Sequence, residues 1–255
     1  MRALAFSVVA LLSIADLAEL QAAEPQFRPA LVGNGPKALV NLIDTNKLVE
    51  KGQGNAALSF HWNVATWGGA LNPVTYRGTP GSNALDKEVV SALKRCRFMP
   101  AIYNGKPAQV LFLGTVLFFM TDDKPHLRIY ANQNRDDIEK GNDFIAPQMI
   151  AGTANNVALP KDELLKGRIY HQKGVVELAI TVDANGNQKD IKLLSEDPVG
   201  FNFGHATLTL LSGAKYIPGF RNGHPVDCTF NHHVWFWTLY REITAVPLKS
   251  LRDCA

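Results

Sequence analysis

The chain has 255 residues and a mass of 28.0 kDa, which suffices for one large domain or two small ones. Apolar residues make up 46% and charged residues 19% of the chain, a balance typical of folded globular proteins and too apolar for a disordered one. The formal net charge is +3 and the 26 Lys and Arg residues form no run, so no nucleic-acid partner is expected.

The amino terminus has the pattern of a secretory signal peptide. Arg2 precedes an apolar stretch from Ala3 to Ala15, and Ala22-Ala23 supplies small residues at a cleavage position. Asp16 ends the apolar run short of the about 20 residues that a spanning helix needs. We therefore expect residues 1–23 to be removed on export, rather than kept as an anchor, and expect no stable membrane insertion.

The mature chain begins with a predicted helix and a predicted β-hairpin. Apolar residues at helical spacing predict a helix over residues 37–51. Strict alternation of apolar and polar residues predicts a half-buried strand over 58–64, and Gly68-Gly69 favours a turn before a second strand over 71–76.

A second helix and a long strand follow the hairpin. Apolar residues at helical spacing predict a helix over 83–95, with Ser82 or Asn83 as its cap. The stretch 109–120 is predominantly apolar and predicts a strand with two apolar faces.

The same elements recur later in the chain. The segment from Phe98 to Pro107 reappears, 118 residues further on, as the segment from Tyr216 to Pro225, and this shift also places Gly68 on Gly186. The same offset relates residues near both ends of each unit, which indicates an internal duplication of the sequence. The predicted organisation is the signal peptide 1–23, copy one 27–121, a linker 122–144, copy two 145–239 and a tail 240–255.

The second copy repeats the element order of the first. Its predicted elements are a helix over 161–172, a strand over 176–182, a turn over 183–187, a strand over 190–194, a helix over 202–214 and a strand over 227–240. A right-handed crossover through the second helix places the first strand of each copy between the other two. The predicted fold class is α+β, with each unit a small three-stranded antiparallel sheet that has helices on one face and its last strand at an edge.

Three cysteines are present, Cys96, Cys228 and Cys254. Cys228 and Cys254 are able to form a disulfide in an oxidising compartment and tie down the tail. Isolated thiols, with Cys96 buried on a helix, are an equally good interpretation.

The second copy resembles the carboxy-terminal domain family of the TonB energy transducer. The resemblance rests on the stretch from Gly174 to Gly186, the helix that follows it, and an aromatic-x-Pro with Asn-Gly-x-Pro at 216–225. Copy one is similar from Ser82 to Leu93 and from Cys96 to Ala101. The membrane anchor and the proline-rich linker of a full transducer are not in this sequence.

The resemblance implies a periplasmic protein that binds an extended segment of an outer-membrane receptor or another envelope partner by strand addition. The strand predicted to receive the partner is the last strand of copy two, through Thr229, Asn231, His233, Trp235 and Trp237. A homodimer is compatible with this interpretation. The sequence does not indicate which of the two copies binds the partner at its edge strand.

No catalytic residue, cofactor or metal ion is predicted. His232 and His233 are neighbours on a strand, so their side chains point to opposite faces and do not chelate one ion. Asp183-x-Asn185-x-Asn187 resembles the start of a calcium loop but lacks its glycine, and a hairpin turn is the better interpretation. The alternative function is a small envelope enzyme or ligand-binding protein with its site between the two copies, and a purely structural role in the periplasm also stays open.

The two last strands are apolar on both faces and therefore need a second cover. We expect the two copies to pack sheet against sheet, with Leu111, Leu113, Leu117 and Phe119 facing Trp235, Trp237 and Leu239. The alternatives are a cover from the linker 122–144, from the tail, or from a second copy of the chain.

Overall fold

The computed structural model describes residues 26–133, 138, 140–141, 143–155 and 172–238, with backbone alone at 172, 173, 237 and 238. The predicted signal peptide, the tail 240–255 with Cys254, and residues 161–171 of a predicted helix lie outside the described residues. No helix in the described ranges combines the length and apolarity that crossing a membrane requires.

Two series of elements succeed each other along the chain. The first series comprises β1 (Phe27–Arg28), β2 (Leu31–Val32), α1 (Leu39–Leu42), α2 (Thr45–Glu50), β3 (Ala56–Val64), β4 (Ala70–Tyr76), α3 (Asn83–Arg95), β5 (Phe98–Met99), β6 (Ala101–Tyr103), β7 (Lys106–Ala108), β8 (Val110–Thr121) and β9 (Lys124–Ala131). The second series comprises β10 (Phe144–Ile145), β11 (Gln148–Met149), β12 (Gln172–Val182), β13 (Gln188–Asp197), α4 (Phe203–Leu211), β14 (Tyr216–Ile217), β15 (Gly219–Arg221), β16 (His224–Val226) and β17 (Cys228–Thr238). The strands β14, β15 and β16 begin and end 118 residues after β5, β6 and β7.

The larger sheets have the predicted strand order. In the first, β3 lies between β4 and β8, and in the second, β12 lies between β13 and β17, with every pair antiparallel. The prediction of three strands is wrong for the first sheet, because β9 pairs with β8 along eight residues and makes it four-stranded. Residues 122–144 are thus not a plain linker, and β8 is not an edge strand.

The predicted helix over 37–51 is two short helices. The chain leaves the helical conformation at Ile43 and Asp44, and the Asp44 side chain caps α2 by accepting a hydrogen bond from the Lys47 backbone N–H at 3.1 Å. The helix predicted over 83–95 has those bounds. Ser82 occupies the cap position, but its side chain makes no capping hydrogen bond. The helix predicted over 202–214 is shorter, because α4 ends at Leu211.

A glutamate from the neighbouring strand stabilises the start of α4. The Glu196 carboxylate accepts hydrogen bonds from the backbone N–H groups of Phe201 and Phe203 at 3.2 Å and of Gly204 at 2.9 Å. These donors have no partner within the helix, and a negative charge is favourable at this end of a helix.

Each large sheet has its own apolar core. The first is built around the rings of Phe60, Trp62 and Phe112, and the second around Val176, Leu178, Ile180 and Phe230. Ile217 and Phe220 belong to the first core although they lie on β14 and β15 of the second series. The two halves of the chain therefore share buried apolar surface.

Cys96 lies directly after α3 and is 1% exposed. Its thiol donates a hydrogen bond to the Leu93 carbonyl at 3.1 Å, and burial raises its pKa to about 12. A thiol with that pKa stays protonated at neutral pH and behaves as a buried apolar group.

Candidate protein-interaction edge

The predicted partner-binding residues lie on β17, which among the described strands is the terminal one of the sheet β13-β12-β17. This strand pairs with β12 over its whole length, with Thr229 opposite Thr181, His233 opposite Glu177 and Trp235 opposite Val175. Because side chains alternate along a strand, Thr229, Asn231, His233, Trp235 and Trp237 share one face.

Two contacts of Thr229 indicate which backbone groups of β17 point away from β12. The hydroxyls of Thr229 and Thr181 are 2.8 Å apart, as expected for an antiparallel pair whose backbone groups do not bond each other. The Thr229 carbonyl instead accepts a hydrogen bond from Lys140 Nζ at 2.9 Å. Residues two and four further along, Asn231 and His233, direct their backbone N–H and C=O groups to this same outer side.

His233 is held against its cross-strand neighbour. Its Nε2 lies 3.4 Å from Glu177 Oε1, and its side chain is only 2% exposed. Ser195 on β13 donates a hydrogen bond to the other Glu177 oxygen at 3.3 Å. Glu177 therefore links the three strands of this sheet across one face.

Trp235 contacts the other sheet. Its ring lies edge-on to that of Tyr76 on β4, with 5.9 Å between centroids and 61° between planes. Tyr76 is buried, and Trp235 is half-buried. The side chain of Trp237 lies outside the described residues, so its predicted packing stays a prediction.

Two buried histidines lie near each other, one from each sheet. Burial, together with smaller contributions from the charges of His233 and His61, lowers the pKa of His232 to about 3. Burial alone lowers the pKa of His61 on β3 to about 4. Across the described ranges, no three His, Cys, Asp or Glu residues are grouped so as to hold a metal ion.

The stretch 183–187 forms a hairpin turn, as predicted, and the Asp183 carboxylate bonds the turn itself. Its Oδ1 accepts from the Asn185 and Asn187 backbone N–H groups at 3.0 and 2.8 Å, and Lys189 Nζ lies 2.9 Å from its Oδ2. Burial raises the pKa of Asp183, but these bonds, led by the one from the Asn187 N–H, outweigh that effect and lower the pKa to about 2.

A groove that the sequence did not predict lies beside β9. It has a volume of about 480 Å³ and is lined by Arg128, Ile129, Tyr130 and Ala131 of β9, with Gln133, Phe144 and Ile145 across from them. The alternation of Leu127, Ile129 and Ala131 with His126, Arg128 and Tyr130 is a strand signal that would have indicated β9.

Residues 168–237 match the family model described as Gram-negative bacterial TonB protein C-terminal. Comparison with curated proteins and with solved structures gives no significant match. The matched segment contains β12, β13 and α4 and nearly all of β17. Residues 168–237 therefore belong to the family of TonB carboxy-terminal domains.

Proposed function

We propose that this chain is an exported, periplasmic protein-interaction protein in which β17 binds an extended segment of an envelope or outer-membrane partner by strand addition. The observation that carries the proposal is that β17 is the terminal described strand of its sheet. The strands of this sheet lie almost entirely within residues 168–237, which match the TonB carboxy-terminal family. Strand addition uses the outward N–H and C=O groups of a terminal strand, with the partner's side chains placed on alternate faces.

The proposal includes two tandem copies, over 27–121 and 145–239, after a cleaved signal peptide. It is supported by the shift of 118 residues that relates β5, β6 and β7 to β14, β15 and β16. In the first half β9 pairs with β8, so the last strand of that copy is already occupied. This favours the second copy as the binding unit. The family match of residues 168–237 is the reason to propose TonB-dependent transport as the process in which the protein takes part.

The contacts of β17 define where a partner strand fits. Lys140 bonds the Thr229 carbonyl, and we propose that the partner's main chain follows β17 along the outer side that Thr229, Asn231 and His233 share. Trp235 packs on Tyr76 across the sheets, and we propose that its remaining exposed surface contacts the partner's side chains. Aromatic residues of this kind supply much of the free energy in protein interfaces.

The test compares two substitutions at one position of the exported chain. Asn231→Pro removes a backbone N–H on the outer side of β17, whereas Asn231→Ala removes the same side chain and keeps that N–H. Wild-type and variant chains are immobilised and incubated with an envelope extract, and the retained proteins are identified by mass spectrometry.

The expected result is one envelope protein that wild type and Asn231→Ala retain and that Asn231→Pro retains several-fold less, since a hydrogen bond contributes roughly 0.5–1.5 kcal/mol. Equal retention by both variants would contradict strand addition on β17. Recovery of the uncleaved chain from carbonate-washed membranes would contradict export as a periplasmic protein.

A further inference from the structure

We propose that the end of the first sheet at which β3 turns into β4 is a peripheral binding site for the surface of an anionic phospholipid bilayer. The site, here called the Trp67 patch, consists of Lys37, Trp67, Lys94, Arg95, Arg97 and Met99, all of which are exposed. It lies outside residues 168–237 and does not depend on the function proposed for β17.

Trp67 lies in the turn between β3 and β4 and is 61% exposed. The turn is closed by hydrogen bonds from the Ala65 N–H to the Gly69 carbonyl at 2.9 Å and from the Gly68 N–H to the Ala65 carbonyl at 2.8 Å. A Cβ at Gly69 would lie 1.8 Å from the Trp67 ring, so glycine at this position lets the ring lie on the turn. The turn therefore holds a large aromatic side chain in solvent, although tryptophan is on average highly buried.

A second segment brings Arg97 and Met99 to the same place. The Phe98 N–H donates to the Gly68 carbonyl at 2.8 Å, which joins this segment to the turn. Phe98 is buried, and because side chains alternate along a strand, its two neighbours point the other way, into solvent. The Cζ atom of Arg97 lies 5.0 Å from the centroid of the Trp67 ring, and Met99 is 41% exposed. Two exposed apolar side chains thus flank a cation.

Three further cations lie close to Arg97. The Arg97 N–H donates to the Lys37 carbonyl at 3.0 Å, and Lys94 and Arg95 occupy the last turn of α3, shortly before Arg97 in the chain. The Arg95 guanidinium donates to two backbone carbonyls, both at 3.2 Å. Within the described part of the chain, none of these four cations forms an ion pair with a carboxylate.

The sequence around the Trp67 patch has few acidic residues. Residues 26–43, 51–85 and 89–121, which include the turn, the end of α3 and the strands beside them, contain no Asp or Glu. Residues 26–131 have twelve Lys and Arg against six Asp and Glu, a net charge of +6, whereas the whole chain has +3. The positive charge is therefore concentrated in the first half, and such an asymmetry favours an anionic partner.

The end of α3 explains only part of this charge. Lys94 and Arg95 complement the partial negative charge at the carboxyl end of that helix. This effect does not account for Lys37, nor for an exposed tryptophan beside Arg97. A function of the surface explains the cations and the apolar side chains together.

The combination of aromatic, apolar and basic side chains favours a bilayer over an acidic protein. Tryptophan rings prefer the headgroup region, where apolar and polar surroundings meet, and Lys and Arg bind the lipid phosphates beside them. Each Lys or Arg near an anionic membrane surface strengthens binding roughly fivefold, so four cations suffice for reversible attachment without a spanning helix. An acidic peptide would pair with the cations, but its carboxylates would give Trp67 and Met99 no apolar contact.

The test measures sedimentation of the chain with vesicles. It uses the exported and processed chain, because an apolar signal peptide would itself bind lipid. One set of vesicles contains phosphatidylcholine and phosphatidylglycerol in equal parts, and the other contains phosphatidylcholine alone. We expect at least tenfold tighter binding to the vesicles with phosphatidylglycerol, and weaker binding as the ionic strength rises, since salt screens exposed charges.

Charge reversals locate the binding surface. Arg97→Glu and Lys94→Glu are each expected to weaken vesicle binding at least fivefold. The control is Lys124→Glu, which changes the net charge equally and should alter binding less than twofold. Lys124 is exposed at the opposite end of the same sheet, because β3 reaches the turn of Trp67 beside the first residue of β8, whereas Lys124 pairs with the last residue of β8. Near-ultraviolet circular dichroism verifies that each variant is folded.

Fluorescence quenching tests whether Trp67 itself meets the lipid. Phosphatidylglycerol with brominated acyl chains quenches tryptophans that enter the bilayer surface. The chain has four tryptophans, so the assignment needs Trp67→Phe, which keeps an aromatic ring on the turn and removes the indole. We expect quenching in wild type and its loss in Trp67→Phe, while Trp67→Ser should weaken binding several-fold.

Three results would overturn the proposal. They are equal binding to both kinds of vesicle, equal weakening by Arg97→Glu and Lys124→Glu, and quenching that persists in Trp67→Phe. Binding of a glutamate-rich peptide without binding to vesicles would also overturn it and would assign the Trp67 patch to a protein partner. Asn231→Pro is expected to leave vesicle binding unchanged, so failure at β17 and failure at the Trp67 patch remain distinguishable.

Discussion

Gln148 and Ala30, which are 118 positions apart, are joined by two hydrogen bonds at the contact between the two halves of the chain. The Ala30 N–H donates to Gln148 Oε1 at 2.7 Å, and Gln148 Nε2 donates to the Ala30 carbonyl at 2.9 Å. Both residues are buried. A side-chain amide thus satisfies both backbone groups of a residue in the other half. The contact between the two halves therefore includes specific hydrogen bonds as well as buried apolar surface.

Gln148→Ala should destabilise the protein by about 2–3 kcal/mol, because it leaves a buried N–H without a partner. Urea unfolding measures the loss. The control is Gln188→Ala, which removes one exposed hydrogen bond from the Gly213 N–H and should cost less than about 1 kcal/mol. Equal losses for the two variants would contradict a specific role for the Gln148 amide.

Gly186→Ala should be far more destabilising than Gly223→Ala. Both glycines have positive φ, 79° and 78°, so both substitutions incur about 1–2 kcal/mol of backbone strain. At Gly186 an added Cβ would also lie 2.1 Å from the Tyr216 carbonyl oxygen, whereas at Gly223 nothing lies within 4 Å. The melting temperature of Gly186→Ala should be clearly lower than that of Gly223→Ala. The opposite order would contradict the close approach of the turn to β14.

Acid should destabilise the protein through His61. The folded-state pKa of His61, about 4, lies below the ordinary value of 6.5, so between these two pH values the unfolded chain binds a proton that the folded chain does not. Stability is therefore complete above pH 6.5 and falls as the pH drops toward 4. At pH 5 the loss from this one residue is about 2 kcal/mol.

The measurement for His61 is the free energy of unfolding in urea at pH 7.5 and pH 5. His61→Phe should remove part of the difference between these two values, because phenylalanine takes up no proton. The control is His224→Phe, at an exposed position of β16, which should leave the difference unchanged. A pH dependence identical in wild type and His61→Phe would count against a buried, neutral His61.

The rings of Tyr76 and Trp235 should show a measurable coupling across the two sheets. A double-mutant cycle of Tyr76→Leu and Trp235→Leu is expected to give a coupling free energy of about 0.5–1.5 kcal/mol, as for other edge-to-face pairs. Trp67, which is exposed under the Arg97 guanidinium, supplies the control cycle with Tyr76, and we expect additivity there. A coupling free energy near zero for Tyr76 and Trp235 would mean that this contact does not stabilise the packing of the two sheets.

Local patterns predicted the elements whose stability is local. The helix α3 has the predicted bounds, since its apolar residues recur at helical spacing, although the Ser82 side chain makes no capping hydrogen bond. The predicted helix over 37–51 failed at Ile43 and Asp44, because Asp44 provides a cap that lets a second helix start. The strand β9 lies in the stretch predicted as a linker, and its pairing with β8 is a long-range contact that its own alternation does not specify.

The sequence by itself determined the relative order of the three predicted strands in each sheet and the TonB-like identity of residues 168–237, since right-handed crossovers and turn chemistry act over short stretches. The tertiary structure alone decided which strand ends remain at an edge and how the two halves meet. Pairing of β8 with β9, the placement of Ile217 and Phe220 in the first core, and the bonds between Gln148 and Ala30 join residues that no local pattern relates. Such contacts depend on the shapes of both contacting segments. The spacing of apolar residues in one segment carries no information about the segment that packs against it.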